Sequence, residues 1–137
     1  MSMNNLTNII IEFYDKISSW EHSVVRESGL TPAQMHAVEV IGHARQLRMK
    51  ELSEQMGLTT GTITLMVDRL EKHGVVARKP HDKDRRSILV VLTHEGEKLF
   101  EEHHKLHEKL TSDLCADLSE SESEFLANVL KKMNNQI

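Results

Sequence analysis

The 137-residue chain has a single cysteine, Cys115, so no disulfide can form within it. That excludes a secreted scaffold stapled by disulfides, and a reducing, cytoplasmic location is the default. Aromatic residues are equally sparse, with three Phe, one Tyr and one Trp. The core must then be built mainly from Leu, Ile, Val and Met. No apolar run approaches the ~20 residues that a membrane-crossing helix needs. The opening stretch MSMNNLTNIIIEF lacks a basic region and a small-residue cleavage site, so it is not expected to act as a secretory signal. An excess of positive charge is missing too: the net charge is −4, which argues against a sequence-blind coat for nucleic acid. What remains is 39% hydrophobic and 28% charged, the balance of a globular domain.

The charge is segregated. Between Arg69 and Arg86 lie Arg69, Lys72, Arg78, Lys79, Lys83, Arg85 and Arg86 against Glu71, Asp82 and Asp84, whereas acids outnumber Lys from Glu101 onward. A basic middle in an acidic chain is the pattern of a local phosphate-binding face.

Apolar residues at Leu6, Ile9, Ile10, Phe13, Ile17, Trp20 and Val24 recur at helical spacing, predicting one helix over 4–28 that ends at Ser28-Gly29. Thr31-Pro32 starts the next, with Thr31 as cap and Pro32 in the first turn. Residues 46–49 read as a short connection. Two helices follow, over 50–56 and from Thr59 or Thr60 to His73, separated by the turn Gly57-Leu58-Thr59. That is the helix-turn-helix pattern. Residues 75–79 and 87–92 read as strands joined by the polar loop Pro80–Arg85, a β-hairpin directly after the helix-turn-helix. The combination is a winged helix. A long helix then starts at Thr93 and runs to about Ala116, and Ser119 with Glu122 caps a last one. The fold class is therefore mainly α (α+β), a winged helix-turn-helix with flanking N- and C-terminal helices.

In the helix that ends at His73, Ile63, Val67 and Leu70 can pack inward. Thr59, Thr60, Gly61, Thr62, Thr64, Leu65 and Arg69 are left on the outside. Threonine hydroxyls can bond phosphates or base edges, their methyls can touch thymine, and Gly61 lets backbone approach DNA. In the hairpin, Lys83, Arg85 and Arg86 sit at the tip, suited to a narrow minor groove. Asp84 beside them makes sense if it orients an Arg side chain by a charge-assisted bond. A capped, solvated helix and a solvated turn are the plainer alternatives.

The run from Leu52 to Thr93 resembles the MarR family of bacterial transcription regulators, most specifically in VDRLEKHG and in Asp84-Arg85-Arg86 leading to Leu92-Thr93. The resemblance extends over almost the whole chain. It implies a single domain over 1–137, with a DNA-binding lobe over 30–93 and dimerisation helices over 4–28 and 94–135. It implies a homodimer on double-stranded DNA, major-groove reading by the Thr60–His73 helix, minor-groove contact by the wing, and no enzymatic activity. The expected role is a repressor on a palindromic operator.

His103 and His107, four apart on one helix, have the spacing at which two imidazoles can share a metal. The segment also resembles the zinc-sensing branch of the family, which implies a site of Glu21, His36, His103 and His107. No cofactor is required for DNA binding, and zinc or another small ligand would act as effector. A small metalloenzyme on the histidine pair and a helical protein-interaction module are the alternatives from other classes. Cys115 reads as a small hydrophobe rather than a redox switch.

Overall fold

A computed structural model describes residues 1–84 and 86–137. In chain order the elements are α1 (Met3–Arg26), α2 (Pro32–Ala44), β1 (Gln46–Arg48), α3 (Met49–Met56), α4 (Thr60–Lys72), β2 (Val76–Pro80), β3 (Ile88–Leu92), α5 (His94–Leu114) and α6 (Glu120–Asn134). Local chemistry sets the helix ends. Thr31 Oγ1 accepts from the Gln34 N–H at 3.1 Å while Gln34 Oε1 accepts from the Thr31 N–H at 3.0 Å, a reciprocal box that starts α2. Ser119 and Glu122 repeat the device at α6, at 3.2 and 3.0 Å. Gly57 closes α3 with φ +64°, a left-handed conformation that turns the chain into α4.

The expected connection over 46–49 is instead a third strand. β1 pairs antiparallel with β3 (Gln46 with Val91, Leu47 with Val90, Arg48 with Leu89), and β2 pairs antiparallel on the other side, giving the order β1-β3-β2. Three residues, one of them apolar, are too short for a period-2 signal, so only the pairing partner makes this segment a strand. Leu47 is its one buried residue.

The chain forms two compact units, Met1–Phe100 and Glu101–Ile137. The first holds one apolar core in which Val25, Met35, Val38, Ile41, Leu52, Ile63, Val67, Leu70 and Val90 are at most 1% exposed. Ile63, Val67 and Leu70 are the inward residues of α4, as their spacing predicts.

The start of α5 is seated on the end of the helix-turn-helix. Thr93 donates its N–H to Val75 O at 3.1 Å and its hydroxyl to Gly74 O at 2.6 Å. The same hydroxyl accepts from the Gly96 N–H at 3.1 Å. Gly96 is buried against the backbone of Val75: a Cβ there would lie 1.9 Å from Val75 O. Only glycine permits this approach. In the second unit, α5 residues from Glu101 onward and α6 leave Leu106, Leu114, Phe125, Leu126, Leu130 and Met133 exposed. No helix among the described residues is long and apolar enough to cross a membrane.

Candidate nucleic-acid interface

α4 starts at Thr59, whose Oγ1 accepts from the Thr62 N–H at 3.2 Å and lies 2.8 Å from Thr62 Oγ1. Thr64 Oγ1 donates to Thr60 O at 2.9 Å. Three of the four threonine hydroxyls thus have a partner in their own helix, while each oxygen keeps acceptor capacity for a further donor. Thr59, Thr60, Gly61, Thr62, Thr64, Leu65 and Arg69 are all exposed. Leu65 stands out, since it keeps 59% of its surface in water while Ile63 and Val67 beside it keep none.

Arg78 on β2 was one of the basic residues counted toward a phosphate-binding face. Its place is different. Its guanidinium bonds Asp68 Oδ1 at 2.7 Å, pairs with Glu71, and reaches Thr64 O at 3.4 Å, with the side chain only 24% exposed. Arg78 therefore ties the first strand of the wing to α4 and cancels two acids on that helix. A planar guanidinium with several donors suits such a bridge better than an ammonium would.

The wing tip is a polar turn organised by two side chains. His81 Nδ1 accepts from the N–H groups of Lys83 and Asp84 at 3.1 and 3.2 Å. The ring proton is then on Nε2, so the Arg48 guanidinium 3.4 Å from Nε2 is a neighbouring cation and not a donor to it. Asp84 accepts from the Arg86 N–H at 3.0 Å and from the Ser87 hydroxyl at 3.1 Å. Among the described residues, the partners of Asp84 are thus the Arg86 backbone and the Ser87 hydroxyl, since a carboxylate two residues back readily closes a tight turn. His81 went unnoticed in the sequence, although a histidine after Pro80 at a strand end was the available signal. Lys83 and Arg86 are exposed at this tip. Arg85 lies outside the described residues.

The Arg86 N–H, and next the Ser87 hydroxyl, hold the Asp84 carboxyl below its ordinary range. A depressed folded-state pKa means that the order Asp84 confers is fully present above the unfolded carboxylate range, near pH 4, and is lost as the pH falls through the lower folded value. We expect the Arg86 amide to stay hydrogen-bonded at pH 6 and to be released only below about pH 4. Amide temperature coefficients followed by NMR across that range would show it, and release already at pH 6 would contradict the assignment.

The proposed zinc ligands are placed unevenly. Glu21 is half-buried on α1. His36 is exposed: the buried residues of α2 are Gln34, Met35, Ala37, Val38 and Ile41, and a step of 100° per residue puts His36 roughly opposite them. Glu39, three residues further on, is half-buried and was not considered in the sequence. In the second unit, His103 is buried and His107 half-buried, with their Nε2 atoms 3.0 Å apart. Two nitrogens on one tetrahedral zinc, at the usual Zn–N distance, would stand ~3.4 Å apart, so this pair fits the ion. Cys115 is half-buried.

An exposed helix entered through a glycine turn, braced by the first strand of a cationic hairpin, defines a winged helix-turn-helix protein. Residues 30–88 match the family model described as MarR family. The chain is similar to the HTH-type transcriptional repressor MdtR of Bacillus subtilis (strain 168), 29% identical over 131 residues, covering 96% of this chain and 84% of the relative. It is also similar to a mutant of MarR from E. coli solved in complex with operator DNA, with a TM-score of 0.74 and 28% identity over 94% of this chain and 93% of the other. Streptococcus pneumoniae FabT, solved in complex with DNA, shares the fold at a TM-score of 0.90 and 21% identity, over 98% of this chain and 96% of the other. The chain is therefore similar to MarR-type transcriptional regulators, with the family model itself matched over residues 30–88.

Proposed function

We propose that the protein is a cytoplasmic, homodimeric repressor that binds a palindromic operator in double-stranded DNA. The observation that carries this reading is the exposed row of Thr60, Gly61, Thr64, Leu65 and Arg69 on α4, next to a wing tipped by Lys83 and Arg86. Thr59 and Thr62 close the helix start, where backbone N–H groups meet a phosphate. Arg69, Lys83, Arg85 and Arg86 supply the cationic contacts, and Asp84 shapes the tip that presents them. MdtR is named a repressor and E. coli MarR was solved with operator DNA, which supports the same role here.

In this reading 1–137 acts as one domain, with 30–93 as the DNA-binding lobe and 4–28 and 94–135 as the dimerisation helices. Ile9, Ile10, Phe13 and Tyr14 on α1 are 42–64% exposed, and α6 leaves Leu126, Leu130 and Met133 in water. So much exposed apolar surface calls for a partner, and a second copy on a two-fold axis is the commonest one. Two recognition helices spaced roughly 34 Å apart would read successive major grooves.

The test is selection of duplexes from a genomic library by the full-length protein, followed by titration of the selected duplex. Arg86→Ala is expected to weaken binding about tenfold and to lower the salt dependence by about one counterion. Equal affinity and equal salt dependence in the variant would reject the wing's role. Failure to enrich any duplex would reject the function.

DNA binding needs no cofactor here, and zinc enters as an effector. Nitrogen and oxygen ligands suit Zn²⁺, and within the second unit His103 and His107 supply two nitrogens 3.0 Å apart. When bound, the ion would bias the dimer toward or away from the DNA-competent state. Competition with a chromophoric chelator should show zinc binding in the wild type and at least a tenfold loss in His103→Ala with His107→Ala. Unchanged zinc affinity in the double histidine variant would remove the site.

A further inference from the structure

Gly61, Leu65 and Arg69 follow one another at four-residue steps and are all exposed. Four-residue steps place side chains on one face, one turn apart. At Gly61 a Cβ would meet nothing within 4 Å, and its φ is not in the left-handed range. The chain's own packing therefore does not require a bare backbone there, although glycine within a helix is disfavoured by about 1 kcal/mol against alanine. Leu65 has the opposite character, an isobutyl group 59% in water. A lone exposed leucine needs no explanation by itself. Beside an unexplained glycine it does, because helical side chains lean toward the N-terminus and Leu65 leans over the strip that Gly61 leaves bare. The row thus offers a notch, an apolar knob and a cation in sequence.

The occupant that matches this row is duplex DNA seen from the major groove. There the C5-methyl of thymine is the apolar group on the base edges, and phosphates line the rim. We propose that Leu65 reads a thymine methyl in each half-site, that the bare backbone at Gly61 lets the helix come close enough for that contact, and that Leu65 is thereby a specificity-determining residue. This rests on α4 being the recognition helix.

The probe is a duplex selected from a random library by the full-length protein, with each thymine replaced singly by deoxyuridine, which differs only by that methyl. In the wild type, one thymine in each half-site should show an affinity loss of about fourfold on replacement, the worth of one buried methyl group. In Leu65→Ala the ratio at that position should fall to near one with an unchanged salt dependence, and Leu65→Met should keep part of it. Gly61→Ala should weaken the selected duplex about tenfold without lowering the melting temperature, since its methyl enters open space in the free protein. Deoxyuridine that is silent everywhere in the wild type, or an undiminished ratio in Leu65→Ala, overturns the proposal. A library that yields no duplex overturns instead the recognition-helix reading beneath it, so the two failures are distinguishable.

Discussion

Replacing Gly96 with alanine is expected to lower stability by about 3 kcal/mol, at the upper end of what overpacking costs. For a chain of this size that is a fall in melting temperature of about 10 °C. The new methyl carbon would sit 1.9 Å from Val75 O, well inside any contact distance, and the obstacle is backbone. A flexible side chain could swing aside. A carbonyl that already accepts from the Thr93 N–H cannot move without loosening the seat of α5. Thermal denaturation followed by circular dichroism is the measurement, with Gly61→Ala as the control that should melt no lower than the wild type. A Gly96→Ala variant that melts within 2 °C or so of the wild type would show that α5 is not seated by this approach.

The second large effect concerns assembly. Leu126 and Leu130 are 42% and 46% exposed and four residues apart on α6. If that face packs on a second copy, the double variant Leu126→Glu with Leu130→Glu buries two unpaired charges at the contact, which costs several kcal/mol. The wild type should sediment as a dimer at micromolar concentration and the variant as a monomer with unchanged helix content. Operator affinity should fall by two orders of magnitude or more, because two tethered half-site contacts become one. A variant that remains dimeric, or a monomeric wild type, would refute the two-fold arrangement.

Most elements were legible because their ends carry chemistry. Thr31, Thr59 and Ser119 cap helices through their own hydroxyls, and a reader of the sequence sees those caps directly. The winged-helix class was equally visible, since a glycine turn between two short helices followed by a basic hairpin has few other readings. What stayed hidden depends on partners distant in sequence. β1 is a strand only because β3 lies beside it. Arg78 looked like one more cation, and nothing local says that Asp68 and Glu71, a turn apart on the preceding helix, take up its charge. Gly96 looked like an ordinary residue of a helix start, because a close approach to Val75 leaves no mark in composition. In the candidate interface, the exposed face of α4 followed from the inward spacing of Ile63, Val67 and Leu70. The ordering of the wing tip by His81 and Asp84 did not, since turns are closed by whichever acceptor happens to be within reach.

β1 runs straight into α3 at Arg48–Met49 with no intervening residue, and β3 lies at the centre of the sheet. A tilt of α3 therefore drags the hairpin through the three facing pairs from Gln46–Val91 to Arg48–Leu89. The helix-turn-helix and the hairpin are geared together: one cannot be re-aimed alone, and an inserted residue in this short stretch would throw both out of alignment at once.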